Sequence, residues 1–282
     1  MPTTRLQSDI LAVIARHRDP ESFVAGGVPI NRNGPRYSSD IDIFNDRIER
    51  VSAAAEVDAD ALKAEGFTID WLRKLSSIVS AEVSKAGERT KLEWVSDSEF
   101  RYFPAVPDQE FGYALSLADL AVNKLMAAVG RREPRDAIDL LTIHDGHLPL
   151  GAIAWAAVEV APGFTPEGLL AELARIAPRY RQAEYDTLTS VEPINAHEVS
   201  HRFRRAIAAA NAFVARMPSE KAGRLFLQDG VPVEPDPDNL AAYVEHLPQR
   251  RGHWPSSPEI SSAMLERYVA RRQKQRLGDE PT

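Results

Sequence analysis

Residues 23–44, FVAGGVPINRNGPRYSSDIDIF, concentrate side chains whose types and spacing could do chemistry. In an extended strand alternate side chains share a face, so Asp40 and Asp42 point together while Ile41 and Ile43 point into a core. Adjacent carboxylates repel one another, and a cation held between them relieves the repulsion. Mg2+ suits such a pair: it takes one or two protein carboxylates and completes its shell with substrate phosphates and water. Upstream, the apolar run Phe23, Val24, Ala25 ends in Gly26-Gly27, where backbone amides can approach an anionic group closely. Arg36 and Ser38, just before the aspartates, are placed either to hydrogen-bond a phosphate or to fix the loop. A phosphate cradle beside a dicarboxylate is what metal-dependent nucleotidyl transfer requires.

Further along, Glu93 stands between Leu92 and Trp94 in a strand-like stretch and faces away from their apolar side, either toward solvent or toward the aspartates. A third carboxylate converging on the metal there could act as general base toward an acceptor hydroxyl, with Asp97 as the alternative. Lys124 falls beside an apolar helical stripe, where a surface lysine is unexpected, and could reach a triphosphate as a point charge. Arg135, Asp136 and Asp139 follow on the next helix, with the two acids at i, i+3 and hence neighbours. A buried ion pair between packed helices is the competing explanation for this basic and acidic group.

These side chains need a scaffold, and hydropathy periodicity outlines one. Residues 4–17 read as a helix with Leu6, Ile10, Leu11 and Ile14 on one face. Strands are expected at 22–25, 40–44, 78–84 and 90–96, the last two joined across Ala86-Gly87-Glu88. A helix fills 46–65, and a loop spans Gly26 to Ser39. Ser116 caps a helix running to Gly130, with Asp119 in the acidic place of a capping box and Leu117, Leu120, Ala121, Lys124, Leu125 and Ala128 along its stripe. Pro134 opens the next helix, through His144. More helices follow at about 150–160, 167–176 and 196–216, then a small hairpin about Asp229-Gly230. A helix lies between the Pro-rich stretches after it, another starts after Pro258, and the tail from about 273 is expected to be disordered. The division is an α+β core over 1–115, a helical region over 116–217 and a C-terminal extension over 218–282.

Composition sets limits. The 282 residues are 44% hydrophobic and 27% charged, values of a soluble globular protein, and no apolar run approaches the ~20 residues of a membrane span. Without cysteine there is no disulfide, thiolate metal site or thiol nucleophile, and with no signal-peptide pattern a cytoplasmic location is the default expectation. A net charge of −7 does not advertise nucleic-acid binding. Small basic clusters at Arg202, Arg204 and Arg205, at Arg250-Arg251 and from Arg271 to Arg276 read first as solvated helix faces and second as an RNA-binding surface.

Taken together, FVAGGVPINRNGPRYSSDIDIF, KLEWV (91–95) and ADLAVNKLMAAVGRREPRDAIDLL (118–141) resemble the nucleotidyltransferases of the AbiEii/AbiGii toxin family, within the DNA-polymerase-β-like superfamily. The resemblance covers about residues 5–145. It implies a polymerase-β-like fold, a small mixed sheet with flanking helices. By resemblance Asp40, Asp42 and Glu93 match the metal-binding carboxylates, Lys124 the nucleotide-contacting lysine, and Asp136 the functional acid of the last motif. Gly26, Gly27, Arg36, Ser38, Arg135 and Asp139 complete the expected nucleotide-binding set. Three departures stand out: glycine at 27 where many superfamily members carry serine, a long spacing of twelve residues from Gly27 to Asp40, and Glu in place of Asp at 93.

The activity implied is Mg2+-dependent transfer from a nucleoside triphosphate to a hydroxyl, with tRNA as acceptor and an antitoxin as partner. Modification of a small molecule, as in antibiotic nucleotidyltransferases, is the alternative within the same chemistry, and the acidic charge suits a cationic acceptor. A catalytically silent binding module of the same fold is the alternative from another class.

Overall fold

The computed structural model describes residues 2–97, 100–161 and 163–250. In chain order the elements of the N-terminal part are α1 (Arg5–Ile14), β1 (Ser22–Ala25), α2 (Gly27–Ile30), β2 (Asp40–Asn45), α3 (Ile48–Ala64), β3 (Thr68–Lys74), β4 (Ile78–Lys85), β5 (Glu88–Ser96), β6 (Phe100–Arg101), β7 (Val106–Asp108) and β8 (Gly112–Ala114). Helices α4 (Leu117–Gly130), α5 (Pro134–Gly146), α6 (Leu150–Ala157), α7 (Pro166–Ile176), α8 (Gln182–Tyr185) and α9 (Ala196–Val214) follow. Strands β9 (Leu225–Gln228), β10 (Val231–Val233), β11 (Val244–His246) and β12 (Gln249–Arg250) come last.

One mixed sheet, ordered β3-β4-β5-β2-β1-β8-β7, carries the site. Strand β2 lies at its centre, antiparallel to β1 and parallel to β5. Period-two alternation divides β2 as the sequence requires: Ile41 and Ile43 are fully buried, whereas Asp40 and Asp42 are half-buried on the other face. On the isoleucine face the sheet packs against α1 and α3 through Leu11, Ile14, Val51 and Leu62, together with Val24 and Trp94. The aspartate face turns toward Phe23, Ala25 and the helices that begin with α4.

A buried carboxylate fixes the far side of β5. Asp58 of α3 accepts both Arg18 Nη2 contacts, at 2.7 and 2.6 Å, and the Trp94 indole N–H at 2.7 Å. The indole bond anchors Trp94 on this face, and strand alternation puts the neighbouring Glu93 on the opposite one.

The expected elements are present, with additions and corrections. The loop from Gly26 to Ser39 contains the short helix α2 and a 3₁₀ turn, Asn31–Asn33. Strand β3 pairs with β4 at the sheet edge, and β8 and β7 extend the opposite edge. Ala86 and Gly87 both take positive φ, 52° and 86°, as a two-residue hairpin turn demands. Leu117, placed on the buried stripe of α4, is 41% exposed. Ser116 does cap α4, accepting from Asp119 N, but Asp119 does not complete the box. Its carboxylate accepts instead from the Ser116 hydroxyl at 2.7 Å, from Tyr102 N at 2.6 Å and from Phe103 N at 3.0 Å. Where a helix was expected among the late prolines there is a 3₁₀ segment, Pro237–Ala242. The helix after Pro258 and the tail from 273 lie outside the described residues. Among those described, no helix is long and apolar enough to cross a membrane.

Candidate active site

Strand register brings the three acids together. Asp42 pairs with Glu93 across the parallel β2–β5 ladder, and Asp40 precedes Asp42 by one alternation. One oxygen from each of Asp40, Asp42 and Glu93 lies within 4.8 Å of the others. Octahedral Mg2+ with ~2.1 Å bonds places neighbouring ligand oxygens about 3.0 Å and opposite ones about 4.2 Å apart, so the three carboxylates would draw closer together to share one ion. The electrostatics call for a cation as well. Burial, together with the charge of Asp40, pushes the Asp42 carboxyl up to about 7, with Glu93 adding to the rise and Lys124 and Arg135 opposing it. An all-oxygen, mutually repelling donor set fits Mg2+.

Gly26 makes room for this cluster. It sits at φ +68°, and a Cβ built there would lie 1.8 Å from Asp42 Oδ2. Gly26→Ala will therefore both strain the backbone and displace the carboxylate, at about 1–3 kcal/mol for the backbone alone. The expected result is a Mg2+ affinity at least tenfold weaker by calorimetry and a lower Tm; unchanged affinity would show that the glycine serves only the turn.

The loop between the glycines and the aspartates folds back onto the start of α2. A Cβ on Gly27 would meet Arg36 Nη2 and Ser38 Oγ, each at 2.8 Å. Ser38 Oγ thus stands where a side chain at 27 would project, and it lies 3.4 Å from Asp40 Oδ1. The Arg36 guanidinium is buried and bidentate to Asp139, at 2.7 and 2.5 Å. Of the two roles open to Arg36 in the sequence, the geometry is that of a residue fixing the loop.

Helices α4 and α5 close the site with a chain of ion pairs. Lys124 Nζ lies 3.1 Å from Asp136 Oδ1 and 2.8 Å from Asp139 Oδ2. Both acids are fully buried. Burial works to raise both, but Lys124 with Arg36 outweighs it at Asp139, and Arg131 with Lys124 outweighs it at Asp136, so both carboxyls sit below their ordinary value. Arg135 Nη1 is 2.9 Å from Ser39 Oγ and 3.4 Å from Asp40 Oδ2. Glu93 does not face bulk solvent: its side chain is 18% exposed and pairs with Lys91 Nζ at 2.7 Å. Asp97, the alternative base, is buried and paired with Arg101 at 3.2 Å.

Two cavities open from the acids. A polar one of about 60 Å³ lies among Gly27, Arg36, Asp40, Lys124 and Arg135. The second, a cleft of about 570 Å³ between the sheet and α4, has Asp42 and Glu93 on one wall and Lys124, Met126 and Arg131 on the other. A larger cavity, about 900 Å³, lies beside α2 and α5 and is lined by none of the three acids. Arg131, in the link between α4 and α5, is not among the site residues the sequence points to. The side chain is half-exposed, lines both active-site cavities, and donates to Asp136 at 2.7 and 3.0 Å. Its only signal was position, five residues before a buried acid. Of the basic clusters, Arg202, Arg204 and Arg205 are exposed on α9, with Arg202 paired to Asp145. The side chains of Arg250 and Arg251 and of Arg271 to Arg276 lie outside the described residues.

No family model matches the sequence, and no curated protein matches it. Solved structures do. MenT4, a nucleotidyltransferase toxin of Mycobacterium tuberculosis H37Rv, aligns over 73% of this chain and 82% of its own with a TM-score of 0.54 at 15% identity. A candidate nucleotidyltransferase from H. pylori aligns over 75% and 96%, with a TM-score of 0.45 at 13% identity. The first likeness shows the fold: this chain has the α+β architecture of a nucleotidyltransferase, as its three motifs imply.

Proposed function

We propose that this protein is a Mg2+-dependent nucleotidyltransferase that moves a nucleotidyl group from a nucleoside triphosphate to a hydroxyl of tRNA, releasing pyrophosphate, and acts as the toxin of a toxin–antitoxin pair. The observation that carries the chemistry is the convergence of Asp40, Asp42 and Glu93 within 4.8 Å of one another beside a polar cavity. The likeness to a toxin fold supports the biological role.

Asp40, Asp42 and Glu93 would hold the ion, which supplies Lewis-acid polarisation of the phosphoryl group when bound. The other tasks fall to the chain. Gly26 leaves room for the Asp42 carboxylate and Gly27 for Arg36 and Ser38, whose hydroxyl stands where a side chain at 27 would project, and the backbone amides there would face the phosphates. Lys124 and Arg135 supply positive charge beside the triphosphate, while Asp136 and Asp139 hold that lysine in place. Arg36 braces the loop. Glu93 accepts the proton of the attacking hydroxyl. The 1–115 core carries the donor side in this scheme, and the helices of 116–217 form the opposite wall.

Incubation with each labelled triphosphate, Mg2+ and total cellular RNA tests the reading. Label is expected on tRNA, and Glu93→Gln is expected to slow transfer at least 10²-fold while triphosphate binding persists. Label appearing only on added small molecules would instead establish the resistance-type reaction, which the net charge of −7 favours for a cationic acceptor. Absence of both transfer and triphosphate binding would refute the enzyme.

A further inference from the structure

The cleft between the sheet and α4 has a composition that the phosphate chemistry does not use. Its walls include Phe44, Val95, Leu120, Met126 and Ala127, an apolar slot opening directly onto Asp42 and Glu93. Apolar walls with an aromatic ring suit the faces of a nucleobase, but stacking is tolerant of base identity because every base has a π-face. Discrimination therefore has to come from a polar group aimed at the base edge.

Every charged side chain lining the cleft has an occupation. Asp42 and Glu93 belong to the acid cluster, Lys124 and Arg131 are held by Asp136, and Asp97 is paired with Arg101. Asn123 is the uncharged polar side chain in the lining, half-buried one residue before Lys124. Its amide makes no hydrogen bond among the described residues, whereas Asn31 and Asn45 both donate to protein acceptors. Asparagine presents a donor and an acceptor side by side, the pattern that a Watson–Crick or Hoogsteen edge complements.

We propose that the slot beside α4 is the nucleoside subsite of the donor triphosphate and that Asn123 reads the base edge, making it the residue that sets nucleotide preference. The proposal rests on the nucleotidyltransferase reading above. Phe44 and Met126 would hold the base by its faces, and the amide would accept one partner pattern and leave the others unpaired. Leaving a buried polar group without a partner is what rejects the wrong base.

The test measures Kd of the full-length protein for ATP, CTP, GTP and UTP in Mg2+, with inorganic tripolyphosphate as a base-free control. Wild type is expected to prefer one triphosphate by roughly tenfold or more. Asn123→Asp keeps the shape and replaces the donor by an acceptor, so the preference is expected to collapse or move to another base. Asn123→Leu, which needs no partner, guards against misfolding and is expected to flatten the preference, with tripolyphosphate binding unchanged in both. The same ranking in wild type and both variants overturns the proposal, as does equal wild-type affinity for all four. A change confined to the ribose versus deoxyribose ratio, or to the acceptor, overturns it too, by assigning Asn123 elsewhere. If wild type binds none of the triphosphates, the nucleotidyltransferase reading itself fails.

Discussion

Replacing Asp42 with asparagine will abolish nucleotidyl transfer and, in the same variant, make the metal-free protein more stable. The two effects share one cause. Asp42 is held against Asp40 and Glu93 with little solvent to screen them, and its carboxyl rises from 3.8 to about 7. An acid whose folded pKa exceeds its unfolded one weakens the folded state as pH climbs, because the unfolded chain ionises freely and the folded one does not. The penalty begins above the unfolded value, grows to about pH 7 and is constant beyond it. Asparagine removes it, so in chelator the variant gains nothing at pH 4 and most at pH 7.5 and above, of the order of a few kcal/mol. Activity moves the other way: in the proposed chemistry one ligand of the ion and its charge are gone, and a loss of about 10³-fold or more is expected. In the proposed site Mg2+ would draw on ionised Asp42, so wild-type affinity is expected to rise with pH up to about 7, with a proton released on binding below that pH. Thermal scans from pH 4 to 8, with chelator and with Mg2+, are the check. A variant no more stable than wild type at pH 7.5 in chelator would mean that the acids do not repel as their spacing implies.

How far this site was legible in the sequence depends on which physical signal each residue left. Asp40, Asp42 and Glu93 were readable because isoleucine, leucine and tryptophan at alternate positions must be buried, which fixes where the intervening acids point. The hairpins at Ala86-Gly87 and Asp229-Gly230 were readable because positive φ is cheap for few residues. Strand β3 left a weak mark: it sits at the sheet edge, where Asp70, Arg73 and Lys74 face solvent and interrupt the apolar alternation. Helix α2 is too short for periodicity to register. Asp119 had the right spacing for a capping box, yet tertiary structure offered it two backbone amides of the 100–103 segment. Arg131 and Asn123 were invisible for a similar reason, because nothing in a one-dimensional pattern says which side chains a cleft will gather.

Losing Asp139 will cost the fold heavily. It is fully buried and accepts from Arg36 twice, from Asn31 Nδ2 at 2.6 Å, and pairs with Lys124 at 2.8 Å. Asp139→Asn keeps the volume and deletes the charge, leaving the buried Arg36 without its carboxylate and Lys124 with Asp136 alone. Removing one partner of a buried pair costs about 3–5 kcal/mol, far more than the pair contributes net, because the remaining charge stays desolvated. At 2–4 °C per kcal/mol for a chain of this size, a Tm lower by roughly 10 °C is expected. The exposed pair of Lys63 and Asp60 is the control, and Asp60→Asn should stay within about 0.5 kcal/mol. The deficit has a pH signature. Lys124 and Arg36 outweigh burial and hold Asp139 below its ordinary value, so its contribution is present above about pH 4 and lost as pH falls through the lower folded pKa. Wild type and variant should therefore converge in acid. The double change Asp139→Leu with Arg36→Met should recover much of the loss, since neither partner is then an orphan. A single variant as stable as wild type at pH 7, or a double variant no better than the single, would show that the loop does not depend on this charge.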